Sequence, residues 1–154
     1  MIIMNDNEFM EIAISEAKIS EKIGEIPVGA VILDSQRNII AQGHNIRKSS
    51  NDSTAHAEIV AIRLACARLS NYRLDNCSIY VTLEPCLMCL GAILRSKISK
   101  IVYGATYTGV CNLMLCELKV SQKIIVQSGV LEDKCNMLIE PFLGNGLNKN
   151  KYCY

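Results

Sequence analysis

No run in these 154 residues approaches the roughly 18 consecutive apolar positions of a membrane-spanning helix. An excess of either charge is also missing. Sixteen Lys and Arg face fifteen Asp and Glu, for a formal net charge of +1. Nothing global therefore draws the chain to a polyanion or a lipid surface, and any such partner must be met by a local patch. The start, Met1 to Phe9, is acidic where a secretory signal would be basic. Internal repeats and long linkers are absent too, so one domain over 1–154 is expected, with residues 144–154 as a loose tail. Charged residues make up only 20% against 50% hydrophobic, which excludes a disordered or fibrous chain and leaves material for a core. Without an export signal, a cytoplasmic protein is expected, and its eight cysteines read as reduced thiols rather than disulfides.

What is present has a clear order. Asn5 or Asp6 can cap a first helix, in which Phe9, Ile12, Ala13, Ala17, Ile19 and Ile23 recur at helical spacing. Pro27 to Leu33 and Ile39 to Ile46 are two strand-like runs joined by a polar turn, which predicts a hairpin. Thr54 is the expected cap of a helix to Leu69, with Ile59, Ile62 and Leu69 on its apolar side. Ser78 to Leu83, Lys100 to Tyr103 and Lys123 to Val126 read as strands. Cys86 to Arg95 and Leu131 to Phe142 read as helices, and a short one is expected near Leu113 to Leu118. The alternation predicts an α/β protein whose single sheet lies between helix layers, antiparallel at the hairpin and parallel at the crossovers. In such sheets ligands sit beyond the strand ends, where helices begin.

Two short motifs fall at those helix starts. His56-Ala57-Glu58 opens the second long helix, and Pro85-Cys86-Leu87-Met88-Cys89 opens the third. Cys86 and Cys89, three apart, share one face of a first turn, where the helix terminus favours thiolates. One imidazole and two thiolates give three zinc ligands, leaving a position for water as catalytic sites do. The only other histidine is His44, and no fourth ligand is evident. Glu58 is the candidate proton carrier. On a regular helix it would point about 200° away from His56, so the motif works only at a helix end. Alone, either motif has ordinary explanations in packing or thiol redox chemistry. Together, H-x-E and P-C-x-x-C are the established signature of zinc nucleobase deaminases.

The chain resembles the bacterial tRNA-specific adenosine deaminase family, within the cytidine-deaminase-like superfamily. The resemblance rests on Glu25-Ile-Pro-Val-Gly-Ala-Val-Ile32, Gly43-His-Asn45, Asp52-Ser-Thr-Ala-His-Ala-Glu-Ile59, Asn71-Tyr-Arg-Leu74 and Val81-Thr-Leu-Glu-Pro-Cys-Leu-Met-Cys-Leu-Gly-Ala92. It implies a three-layer α/β/α fold with a five-stranded mixed sheet and one zinc ion per chain held by His56, Cys86 and Cys89. Glu58 would shuttle protons, and Asn45 and the backbone around Ala57 would meet the target nucleoside. The implied partners are a tRNA anticodon stem-loop and a second copy of the chain, with no membrane. The implied activity is deamination of adenosine to inosine at the wobble position. Two departures bear on RNA grip. The loop at 104–109 is shorter than expected for that family, and the last helix ends Glu140-Pro-Phe-Leu-Gly144, where the family carries aromatic and basic residues; Pro141 is expected to bend or end it.

Three alternatives share these residues. A deaminase of free guanine, cytosine or another small nucleobase needs the same metal site without an RNA surface. A non-catalytic zinc-stabilised partner subunit has no use for Glu58. A thiol redox protein would use Cys86 and Cys89 without metal. The six other cysteines are read as core residues.

Overall fold

A computed structural model describes residues 4–107 and 123–143 of the chain. Its strands are β1 (Gly29–Leu33), β2 (Ile39–His44), β3 (Ser78–Leu83), β4 (Lys100–Ala105) and β5 (Ile125–Gln127). They form one sheet in the order β2-β1-β3-β4-β5. β1 pairs antiparallel with both β2 and β3, while β3–β4 and β4–β5 are parallel. Helix α1 spans Asp6–Lys22, α2 Arg47–Ser50, α3 Ala57–Leu69, α4 Leu87–Arg95 and α5 Glu132–Leu143. α1 and α5 cover one face of the sheet and α3 and α4 the other. The mixed five-stranded sheet between helix layers is the expected architecture. β1 and the inner ends of β3 and β4 are almost wholly buried, as strands covered on both faces must be.

Local chemistry sets the helix starts. Asn5 caps α1 through a capping box, its side chain accepting the Glu8 N–H at 3.1 Å while Glu8 accepts the Asn5 N–H at 2.7 Å. Its buried face is Phe9, Met10, Ala13, Ile14, Ala17 and Ser20, leaving Ile19 and Ile23 exposed. Thr54 does not cap α3. It is captured by Asp52, which accepts both the Thr54 N–H at 2.8 Å and its hydroxyl at 2.6 Å, and the helix begins after His56.

The fully buried face of α3 is Ala57, Glu58, Ala61 and Ala65, with Ile62 half-buried against the core as expected and Leu69 exposed. Close approach is the reason. A Cβ on Gly43 of β2 would lie 2.7 Å from the Ala57 carbonyl oxygen and 2.8 Å from the Ala61 nitrogen. The α3 backbone therefore rests on the sheet where only glycine and alanine leave room.

Residues 47–50, a polar stretch, form the short helix α2. β5 starts at Ile125, two residues later than expected. α5 continues through Pro141 to Leu143, so the proline does not stop it. The short helix expected near Leu113 to Leu118, residues 108 and 109 of the 104–109 loop and the 144–154 tail lie outside the described residues. Cys77 and Cys135 are buried and Cys66 half-buried, in keeping with a core role; Cys111, Cys116 and Cys153 lie outside the described residues. Among the described residues, no helix is long and apolar enough to cross a membrane.

Candidate metal centre

The edge of the sheet that holds the start of β1 and the ends of β2 and β3 leads directly into the two motif helices. His56 is the N-cap of α3 and Cys86 the N-cap of α4, both with extended backbone (φ −70°, ψ 156° and φ −72°, ψ 171°). Neither side chain caps its own helix. Both are turned instead to one point. His56 Nδ1 lies 3.6 Å from Cys86 Sγ and 3.5 Å from Cys89 Sγ. Because His56 precedes the helix, the 100° helical step does not separate it from Glu58.

These spacings fit a metal ion. Zinc–nitrogen bonds of about 2.05 Å and zinc–sulfur bonds of about 2.3 Å put nitrogen and sulfur about 3.6 Å apart on a tetrahedron. Among the described residues, His56, Cys86 and Cys89 form the group positioned to hold one ion. His44 is not part of it: its Nδ1 meets Glu16 Oε2 at 2.7 Å, toward α1 on the opposite face of the sheet. Two helix N-termini face the group, and both favour negative sulfur. The Cys86 thiol is pushed down to about 4, chiefly by the hydrogen bond from Cys89 and then by His56.

Glu58 is completely buried, and neither carboxylate oxygen has a hydrogen-bond partner. Burial pushes its carboxyl up to about 7, with the negative charge of Cys86 acting in the same direction. A buried carboxylate left unpaired is costly unless something polar joins it. Next to a cysteine–histidine metal group, a metal and a water molecule satisfy that need.

Asn45, just past β2, is wholly buried, and both ends of its amide are held by the protein. Its Oδ1 accepts the Ala57 N–H at 2.8 Å, and its Nδ2 donates to the Ile26 carbonyl at 3.0 Å. That bond uses one of the two N–H groups its amide carries. Glu84, just before Pro85, is a buried carboxylate that reading the sequence missed. Its Oε2 accepts the Tyr107 N–H at 3.0 Å, joining the ends of β3 and β4 beneath the cysteines. An acidic residue closing an apolar strand was the available signal. Arg73 is held bidentate by Asp75 at 2.8 Å, beside the exposed ring of Tyr72.

Comparison with known proteins agrees with this geometry. Residues 3–105 match the family model for the cytidine and deoxycytidylate deaminase zinc-binding region. The tRNA-specific adenosine deaminase of Haemophilus influenzae is 44% identical over 142 residues, covering 89% of this chain and 82% of that protein. A solved chain from a study of A-to-I editing by tRNA:A34 deaminases at the wobble position superposes with a TM-score of 0.79 at 36% identity, covering 84% of this chain and 97% of that one. The guanine deaminase of Bacillus subtilis gives 0.65 at 34% identity, over 97% of this chain and 99% of that one. With a buried carboxylate beside a His–Cys–Cys metal group and these relatives along most of its length, the chain belongs to the tRNA-specific adenosine deaminase family, within the zinc-binding cytidine and deoxycytidylate deaminases.

Proposed function

We propose that the chain converts adenosine to inosine at the wobble position of a tRNA anticodon, by hydrolytic deamination. The observation that carries this reading is the buried, unpartnered Glu58 beside the His56–Cys86–Cys89 group. His56, Cys86 and Cys89 would hold zinc, which would lower the pKa of a bound water to near neutrality. Glu58 takes the proton of the attacking water and delivers it to the ring nitrogen beside C6. It then takes the proton of the hydroxyl newly added at C6 and hands it to the departing amino group as the C6 carbonyl forms, so that water and adenosine become inosine and ammonia. A carboxyl whose pKa lies near 7 is suited to both receiving and giving that proton. Asn45, through its second amide N–H, and the backbone around Ala57 orient the base. An anticodon loop is single-stranded, so a base enters the crevice without breaking a pair.

The same reading places the enzyme in the cytoplasm as a homodimer. Exposed Leu64, Leu69, Leu87 and Met88 on α3 and α4 support an apolar contact with a second copy. Light scattering across a concentration series measures that association.

The second reading, a deaminase of free guanine or a related base, is favoured by the match to the guanine deaminase. Incubation with an anticodon stem-loop, followed by detection of inosine at each adenosine, decides between them. Inosine at the wobble adenosine alone is the expected result. Ammonia released from free guanine but not from the RNA refutes the RNA assignment, and no ammonia from any substrate marks a non-catalytic partner chain.

A further inference from the structure

The connection between α1 and β1 grips the segment between β2 and α3 through buried polar groups that the proposed chemistry does not use. Ser20, fully buried in the last turn of α1, donates its hydroxyl to the Asn45 carbonyl at 2.8 Å. Asn45 in turn donates to the carbonyl of Ile26. Between these contacts sits Glu25, 3% exposed. It accepts the backbone N–H of Lys48 at 2.6 Å, that of Ser49 at 3.0 Å and the Ser49 hydroxyl at 3.4 Å. All three bonds end on one oxygen, Oε1. Its own N–H is tied to the Ser20 carbonyl at 3.0 Å, so the carboxylate is delivered from a fixed backbone.

The recipient is α2, a helix of four residues. A helix that short has no stability of its own, because nucleation outweighs the bonds it forms. No side chain caps it locally either. Its order is imposed from outside, and a carboxylate 23 residues earlier in the chain imposes it.

We propose that Glu25 is a positioning residue for substrate binding. Through the amides of Lys48 and Ser49 it clamps residues 45–50 against the α1–β1 connection and so sets the crevice wall on the Asn45 side. The metal-holding side chains and Glu58 stand at the starts of α3 and α4, where Asn45 Oδ1 meets the Ala57 N–H at 2.8 Å. The inference rests on reading that crevice as a deaminase site, and it separates binding from chemistry.

The test compares Glu25→Gln, Glu25→Asp and Glu25→Ala in the full zinc-loaded chain. Since one oxygen receives every bond, the amide oxygen of glutamine reproduces them, whereas aspartate keeps the charge but withdraws its reach by one methylene. Glu25→Asp and Glu25→Ala are expected to raise amide exchange in residues 46–50 about tenfold or more. They are expected to raise KM for the anticodon stem-loop about tenfold with kcat within about twofold. Glu25→Gln stays near wild type in both, and zinc content stays at that of the wild type in all three. Should Glu25→Ala not fold, the aspartate and glutamine pair carries the comparison.

Unchanged exchange in 46–50, faster exchange with unchanged KM, a loss confined to kcat, lost zinc, or a glutamine variant as impaired as aspartate would each overturn the proposal. A wild-type chain that leaves the RNA untouched refutes the RNA reading instead. The KM comparison is then made on the free base that it does turn over.

Discussion

Asn45 Oδ1 accepts the backbone N–H of Ala57 at 2.8 Å, so the residue expected to meet the substrate also holds the first turn of the helix that carries His56 and Glu58. Asn45→Ala leaves that buried N–H without a partner, which costs about 1–3 kcal/mol. Urea denaturation should show this loss, and metal retention should weaken along with substrate binding. A variant that alters KM alone would mean that Asn45 has no part in placing α3.

Glu58 tests the chemistry. Glu58→Gln preserves the shape of the side chain and removes its proton exchange, so zinc content should match wild type while kcat falls by about 10²–10⁴. Metal analysis and single-turnover deamination measure the two separately.

Metal removal should act on stability as well as on turnover. Any ion bound to the folded chain alone stabilises it, by about 2.7 kcal/mol at a hundredfold excess over Kd. Chelation should therefore lower the melting temperature and abolish deamination, and added zinc should restore both. His56→Ala and Cys86→Ser should reproduce the chelated state and resist rescue.

Two glycines make opposite predictions. Gly43→Ala drives a methyl against the Ala57 carbonyl and the Ala61 nitrogen, both under 3 Å away, and should destabilise by about 1–3 kcal/mol. Gly91, inside α4, has nothing within 4 Å of a new Cβ. Gly91→Ala should stabilise the chain by about 0.5–1 kcal/mol through helix propensity. Thermal melts of the two variants settle both signs.

The far end of α1 gives a pH dependence. Burial pushes the Asp6 carboxyl up, but hydrogen bonds from Arg37 and Tyr80 and the charge of Lys100 outweigh it and hold it below the ordinary value. A carboxyl lowered in the folded state stabilises the chain above its unfolded pKa and loses that contribution as pH falls through the folded one. Asp6→Asn should cost about 1–2 kcal/mol at neutral pH. Denaturation midpoints should show the gap between variant and wild type closing in acid, below the usual carboxylate range.

Much of this could be read from local sequence. Five β-rich runs and the helices between them declared their periods. The two motifs at helix starts named the metal donors, because H-x-E and P-C-x-x-C place their side chains by backbone geometry that neighbouring residues dictate. What stayed hidden depended on which contacts the folded chain makes. Thr54 looked like a cap until Asp52 claimed it, two residues away but folded back by the turn. Ile62 does pack against the core, but Ile59 and Leu69 also looked like the inner face of α3, where Gly43 brings the backbone too near for anything larger than alanine.

By itself, then, the sequence determined the order of elements and pointed to the two motifs, since each is read from residues within a few positions of one another. Only the tertiary structure decided that Nδ1 is the imidazole atom facing the sulfurs, that Glu58 is buried without a partner, and that Ser20, Glu25 and Glu84 tie the crevice together. Those bonds join residues 23 to 25 or more positions apart, and burial and hydrogen-bond geometry across such separations exist only once the sheet has assembled.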